Sequence, residues 1–446
     1  MTAATRPDSW SATGDLAADA ASLASVAADC ERGLDTLPTA DARTPDQRAG
    51  AAGLHRTARL AREAFLRAHA DAVYDALTAS RTLHPRVPEL LAEAAERFPG
   101  LVPGAARLKA EEGLPQAHKE GWEVDQGLFL RHVLGSPVAG RHLLESMLRP
   151  VERSAALLGR FRETGRVELE KLTLERIGPA AHLTVHNPDC LNAEDNELAD
   201  DMDVAVDLVL LDPRVRVGVL RGGVMTHPRY AGRRVFSAGI NLAHLHEGRI
   251  SYSRFLIGRE LGYISKMYRG VVPVDDDARR QAWPHRRLQK PWLAAVDGFA
   301  IGGGGQLLLA VDHVVAAADA YFSVPAAQEG IVPGVANLRL SRLTGGRLAR
   351  RVLLDGAKIR ATSPEAGLVF DEVVEPDRMD TAIEAAVERL AAPAVASNRR
   401  MVHVAEEPLD AFRDYMAEFA LEQALRLNSD DVLAKVGRRS AKKRAS

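Results

Sequence analysis

The sequence predicts an α/β protein with helical segments at both ends. Three observations predict it. Residues 1 to about 165 keep apolar side chains at helical spacing and repeat helix-start signals. From Val167 onward, short apolar or alternating runs of strand length recur between helical stretches. In residues 290–312, an apolar run at 292–296 leads to four glycines, Gly302, Gly303, Gly304 and Gly305, and then to a helix-like run at 306–311. Strand, glycines and helix in that order leave backbone N–H groups open at a helix start. Such a turn can hold a phosphate or a developing oxyanion. Close packing of a turn on a sheet is the competing reading.

Composition bounds the protein class. A length of 446 residues suggests two or three domains and allows a large core. Hydrophobic residues at 46% and charged residues at 26% fit a soluble globular protein. A net charge of −2 gives no reason to expect a nucleic-acid partner. Two cysteines, Cys30 and Cys190, exclude a disulfide framework and a cysteine-rich zinc site. Neither a long uncharged apolar run nor a signal-peptide pattern is present, so a cytoplasmic location without membrane contact is expected. The basic residues 437–446 read as a frayed end or as a binding arm.

The elements follow in order. Residues 16–37 are alanine-rich with helical spacing. Thr44-Pro45 is a cap followed by proline, opening a helix to about Leu77. Residues 87–98 form another helix. Residues 100–121 are broken by Pro103, Gly104, Gly113 and Pro115. Ser136-Pro137 opens a helix to about Leu148, and Pro150 one to about Arg162. Strands are expected at 167–174, 181–185, 215–221, 292–296, 313–317 and 372–374. Residues 233–242 should end a further strand in a small-residue turn. Helices are expected from the 187–193 turn to about Leu211, and at 252–269, 347–355, 364–368, 378–391 and 397–427; residues 275–287 read as a polar loop. Domain boundaries fall near 165 and 375: a helical domain at 1–165, a core at 166–375, and a C-terminal helical region with its basic tail at 376–446.

Two turns carry a family resemblance. Phe236-Ser237-Ala238-Gly239-Ile240-Asn241-Leu242 and Ala300-Ile301-Gly302-Gly303-Gly304-Gly305 resemble, in that order, the oxyanion turns of the crotonase (enoyl-CoA hydratase/isomerase) superfamily. The resemblance covers roughly residues 170–440. It implies a spiral of ββα units and an acyl-CoA thioester held by two backbone N–H donors, Ile240 and Gly303. Terminal helices that cover a neighbouring subunit, and a homo-oligomer of trimer or hexamer size, are also implied.

Hydratases of the superfamily use two glutamates. At the matching positions this chain has Gln306 and Ala326. An amide exchanges no proton at neutral pH and a methyl has none to give, so water addition is not expected. Stabilisation of a thioester enolate remains possible. Phe236, Ile240, Leu242, Ala326 and Ile331 would surround it with an apolar pocket able to admit dioxygen. The helical N-terminal extension, Arg259-Glu260-Leu261-Gly262-Tyr263 and Glu329-Gly330-Ile331-Val332-Pro333-Gly334 narrow the resemblance to cofactor-independent acyl-CoA dioxygenases of the superfamily. That branch implies conversion of (3,5-dihydroxyphenyl)acetyl-CoA and O2 to 3,5-dihydroxyphenylglyoxylate and CoA, in glycopeptide-type antibiotic biosynthesis. It assigns Glu194 and Arg259 to the ring hydroxyls and Gln306 to the reacting region. Arg233, Arg234 and the backbone of Ser237, Ala238, Gly239, Asn241 and Leu242 would line the CoA side, with Gly302, Gly304, Ala326 and Ile331 around the substrate.

Plainer readings stand beside these. Glu194 would suit the first turn of the helix that follows it. Arg233, Arg234 and Arg259 would serve as surface charges. His182 with His186, or His244 with His246, would be the candidates for a metal, but a strand-to-turn segment spreads the first pair, and no metal is expected. No Gly-x-Ser-x-Gly elbow is present. The alternatives are another acyl-CoA isomerase, a thioester hydrolase, or a non-catalytic scaffold.

Overall fold

The computed structural model describes residues 10–273, 287–429 and 432. The expected polar loop, save Arg287, and the basic tail lie outside the described residues. The chain forms two compact units. One comprises Met1–Met147, Ala243–Ser253 and Asp410–Ser446; the other comprises Leu148–Leu242 and Arg254–Leu409. The three consecutive segments read from the sequence divide the chain differently. The Glu152–Thr164 helix packs on strand Arg166–Glu168 and on the Asn196–Leu211 helix, so it goes with the strands.

The first unit is helical. Its long helix, Pro45–Leu77, packs against Leu16–Asp35, Val87–Arg97, Glu123–Gly135 and Ala139–Met147. Thr44 and Gln47 close a reciprocal capping box at its start. Ser136 Oγ accepts the N–H groups of Val138 and Ala139. The Glu123–Gly135 helix had no signature of its own in the sequence. It is buried on nearly every side, so it carries no amphipathic stripe, and Trp122 gives it no side-chain cap. One polar cluster in this unit centres on the half-buried Glu120. Glu120 takes both guanidinium nitrogens of Arg43 at 2.7 and 2.8 Å and His55 at 2.8 Å. Burial opposes its charge, but His55 and Arg43 outweigh that and hold the carboxyl down at about 2.

The second unit contains all the described strands: β1 Arg166–Glu168, β2 Leu172–Ile177, β3 Ala180–Val185, β4 Val217–Gly222, β5 Trp292–Val296, β6 Phe299–Ile301, β7 His313–Ala317, β8 Tyr321–Ser323, β9 Ile359–Arg360 and β10 Glu372–Val374. Seven form one sheet in the order β1-β2-β3-β4-β5-β7-β10, and three form a second in the order β6-β8-β9. From β3 to β10 the large sheet is parallel. β5 has no exposed residue, as a strand covered on both faces requires. The chain visits the large sheet, then the small one, then a helix: β5, β6, Gly303–Leu308, and again β7, β8, Ala326–Glu329. This is the expected ββα spiral.

Several boundaries differ from expectation. The alternating run at 167–174 is two strands, because Leu169 N–H donates to Leu172 O and turns the chain back. Residues 233–240 make isolated bridges rather than a strand. β6 intervenes before the glycines, and the helix there begins at Gly303 itself. The helix expected at 347–355 extends back to Ala336 across a break at Gly345, whose φ of +75° interrupts the helical pattern. The helix over 252–269 is mostly π-helical, in the segments Tyr252–Ile257 and Glu260–Ile264, and ends as α-helix at Ser265–Arg269.

That last helix is anchored by buried ion pairs. Arg399 bonds Asp312 at 2.7 Å and Met267 O at 2.6 Å, and His403 stacks on Tyr268 at 3.8 Å. Glu407 receives Arg269, Arg339 and Arg342. Burial works against the Glu407 charge, but the three arginines outweigh it and hold its carboxyl below the ordinary 4.5. The folded value is depressed, so this stabilisation is complete above about pH 4.5 and is lost as pH falls through the folded value. Glu407→Gln is therefore expected to cost about 3 kcal/mol or more at pH 7, by stranding the arginines. Urea melts of variant and parent should converge as pH falls through the folded value of Glu407, below the ordinary 4.5.

Candidate active site

The site is assembled by turns at the ends of β3, β4 and β6. After β3, Asn187 N–H donates to Asn192 Oδ1, and Asn187 Nδ2 donates to Ala193 O and Asp195 Oδ2. Leu191 and Asn192 take positive φ, 58° and 54°, within this turn. The turn delivers Glu194. Glu194 does not sit in the first helical turn as expected. Asp195 is the cap of Asn196–Leu211, accepting Leu198 N–H, and Glu194 lies just outside, bridged to Ile240. Glu194 N–H donates to Gly239 O at 2.6 Å, and Asn241 N–H donates to Glu194 O at 2.8 Å.

A second bridge joins the two oxyanion-like turns. Ser237 N–H donates to Phe299 O, and Ile301 N–H donates to Ser237 O. Gly239 N–H donates to Ser237 Oγ at 3.1 Å, which fixes the first turn locally. A Cβ at Gly239 would lie 3.1 Å from Gly303 N, and one at Gly304 would lie 2.5 Å from Ser237 Cβ. Glycine is therefore required on both sides of this seam. Gly302 N–H is taken by Ser323 O at 2.8 Å. Gly303 opens its helix, so its N–H has no intrahelical acceptor. Among the described residues, neither the Gly303 N–H nor the Ile240 N–H is bonded to a protein acceptor.

Beside this seam lies a buried ionic cluster. Arg259, Glu194, Glu260 and Tyr263 are 5%, 3%, 2% and 1% exposed. Arg259 Nη2 donates to Glu194 Oε1 at 2.9 Å and Oε2 at 2.8 Å. Its Nη1 donates to Glu260 Oε1 and to Gln306 Oε1, both at 2.7 Å. Its Nε donates to Tyr263 Oη at 3.2 Å, and Tyr263 Oη donates to Glu194 Oε1 at 2.6 Å. Burial opposes the Arg259 charge, but Glu194, Tyr263 and Glu260 outweigh it and hold the guanidinium firmly protonated. Burial pushes the Glu260 carboxyl up, offset in part by Arg259 and Arg339. Burial also pushes the Tyr263 phenol well above 10, so it remains a donor.

The expected residues do not all meet. Glu194, Arg259, Gln306 and Gly303 converge, with Ile240 and Gly302 beside them. Arg259 is not a surface charge. Ala326 and Ile331 share a tight turn, with Ile331 N–H on Ala326 O at 3.1 Å. Arg233 is exposed and ion-paired with Asp319, while Arg234 donates to Gly222 O at 3.1 Å. Neither has a hydrogen bond to the cluster among the described residues. Tyr263 and Gly334 escaped the sequence reading as site residues. Tyr263 stands four positions after Arg259, a helical spacing that could have flagged it. Gly334 had no such signal: with φ of +46°, its Cα lies against the oxygens of Glu260 and Gln306.

Two substitutions test the cluster. Arg259→Met leaves two buried carboxylates without their shared cation, with an expected loss of about 3–5 kcal/mol in urea unfolding. Gly303→Ala would drive a methyl into Glu194 Oε2. It is expected to displace that carboxylate and destabilise the fold in the same assay by about 1–3 kcal/mol.

Comparison with known proteins places this geometry. A family model described as enoyl-CoA hydratase/isomerase matches residues 280–426. The chain is 57% identical over 419 residues to a (3,5-dihydroxyphenyl)acetyl-CoA 1,2-dioxygenase of Amycolatopsis orientalis, covering 94% of this chain and 95% of that one. It is 31% identical over 224 residues to a short-chain-enoyl-CoA hydratase of Clostridium acetobutylicum, covering 49% of this chain and 75% of the relative. A solved enoyl-CoA hydratase/isomerase from Xanthobacter autotrophicus Py2 matches with a TM-score of 0.50 and 22% identity, over 62% of this chain and 96% of that one, which speaks to the fold. From its paired turns, its ββα spiral and these relatives, the chain belongs to the enoyl-CoA hydratase/isomerase (crotonase) superfamily.

Proposed function

We propose that the chain is a dioxygenase that converts (3,5-dihydroxyphenyl)acetyl-CoA and O2 to 3,5-dihydroxyphenylglyoxylate and CoA, in the biosynthesis of a glycopeptide-type antibiotic. The observation that carries this reading is the likeness to the Amycolatopsis orientalis enzyme through nearly the whole chain, helical segments included. The hydratase relative matches only about half of it. The residues support the same direction. Gln306 is tied to Arg259 where a hydratase would need an acid, and Ala326 has no acid to offer.

The chemistry follows from the thioester. Its α-hydrogens are acidified by both the ring and the carbonyl. The Ile240 and Gly303 N–H groups receive the enolate oxygen, each contributing about 3 kcal/mol by analogy with measured oxyanion holes. The carbanion passes an electron to O2 and recombines with it as a peroxide. The peroxide attacks the thioester carbonyl and expels CoA. Loss of the second α-hydrogen with cleavage of the O–O bond leaves the keto acid. The electrons come from the substrate, so the reaction calls for neither metal nor organic cofactor. Glu194, held in place by Arg259, takes the ring hydroxyls, and Arg233 and Arg234 lie toward the CoA portion. A CoA-ester substrate fits a cytoplasmic setting, and no helix among the described residues is long and apolar enough to cross a membrane.

The test is oxygen uptake with the arylacetyl-CoA ester in metal-chelated buffer, with equal amounts of O2 consumed and CoA released. CoA release without uptake would indicate a hydrolase, double-bond migration an isomerase, and no turnover a scaffold. Gln306→Glu adds a third carboxylate around Arg259 and is expected to lower the uptake rate at least tenfold.

A homo-oligomer, trimer or hexamer, is part of the same proposal. Met401 and Val404 stand three apart on the Pro393–Glu406 helix and are 64% and 62% exposed. Large apolar side chains so placed suit a subunit contact. Met401→Glu with Val404→Glu should shift the mass seen by light scattering toward the monomer.

A further inference from the structure

The Glu194 carboxylate is oriented from one side only. Its Oε1 receives both Tyr263 Oη at 2.6 Å and Arg259 Nη2 at 2.9 Å. Its Oε2 receives Arg259 Nη2 at 2.8 Å and rests against Gly303 Cα, beside the second oxyanion-like turn. A carboxylate offers about four lone-pair positions. With Oε1 occupied from two directions, the open acceptor capacity lies on Oε2. Arg259 has no such capacity: all five of its N–H groups are directed at protein acceptors, Tyr263, Glu260, Gln306, Glu194 and, at 3.4 Å, Gly303 O. A phenolic hydroxyl of a substrate must therefore donate to Glu194 rather than accept from Arg259. The phenol of Tyr263 is the remaining group that sets how that carboxylate is turned.

We propose that Tyr263 is a positioning residue that fixes the rotation of the Glu194 carboxylate, so that Oε2 accepts a hydroxyl on the aryl ring of the substrate. This rests on the reading of Glu194 as the ring-hydroxyl acceptor, and it adds the residue that confers selectivity for hydroxylated rings. Tyr263→Phe keeps the ring in its packed position and removes the one donor to Oε1, among the described residues, that is not Arg259.

The test is anaerobic titration of the full chain with (3,5-dihydroxyphenyl)acetyl-CoA and with phenylacetyl-CoA, since without O2 neither ester is oxidised. The parent protein should bind the dihydroxy ester more tightly. Tyr263→Phe should weaken binding of that ester about tenfold and leave phenylacetyl-CoA within twofold. In a Glu194→Gln background, the same substitution should add less than a further twofold loss. Equal weakening for both esters would reveal a merely structural role and overturn the proposal, as would no weakening for either. A parent protein that binds both esters alike would overturn it together with the assigned role of Glu194. Oxygen uptake is measured separately: selective binding without uptake would sink the dioxygenase reading and leave the role of Tyr263 standing.

Discussion

A single guanidinium, buried with two carboxylates, sets the terms for the rest of the site. Arg259 places all five N–H donors on acceptors drawn from three stretches of chain: the turn after β3, its own helix and the Gly303–Leu308 helix. Removing a carboxylate and a guanidinium from water costs several kcal/mol per ion, and only close pairing offsets it. Each segment must therefore reach the same point. That demand explains the glycine at 303, where Glu194 Oε2 sits against Cα, and the glycine at 334, where Glu260 and Gln306 do. It also explains why the helix of Arg259 is held at its far end by Asp312 and Glu407 through a second set of buried arginines.

The second constraint is carried by the backbone. The Glu194–Ile240 and Ser237–Ala300 bridges tie the acidic turn to the first oxyanion-like turn, and the first to the second. Asn241 N–H goes to Glu194 O, Gly239 N–H to Ser237 Oγ and Gly302 N–H to Ser323 O, while among the described residues the Ile240 and Gly303 N–H groups stay open. The parallel strands from β3 to β7 point their carboxyl ends the same way, which is where ligand sites form in such sheets. Here the chain after β3 supplies Glu194 and the chain after β4 supplies Ile240. A hydratase built on the same spiral would add two acids; this chain has an amide and a methyl, and the amide is held by Arg259.

Much of this was written in local sequence. Thr44-Pro45, Ser136-Pro137 and the apolar run at 292–296 each name their element, because caps, prolines and buried strands depend on near neighbours. The glycine run and the 236–242 turn pointed to Ile240 and Gly303 only through the family resemblance, and the structure leaves both N–H groups without an acceptor among the described residues. The all-round apolar helix at Glu123–Gly135 was hidden, since burial on every side erases periodicity. The isolated bridges of residues 233–240 were hidden as well, since their partners lie far along the chain.

Local sequence and the family pattern showed which groups were on hand: two small-residue turns, a missing acid pair, and an arginine and a glutamate. Their arrangement came from packing. It moved Glu194 off the helix start and onto Arg259, brought Tyr263 into the same cluster, and left Arg233 and Arg234 outside it. The physical reason is range. Caps and turns are settled over a few residues, whereas a buried charge is satisfied by whatever partner the packing brings within 3 Å, and those partners here are up to 69 residues apart.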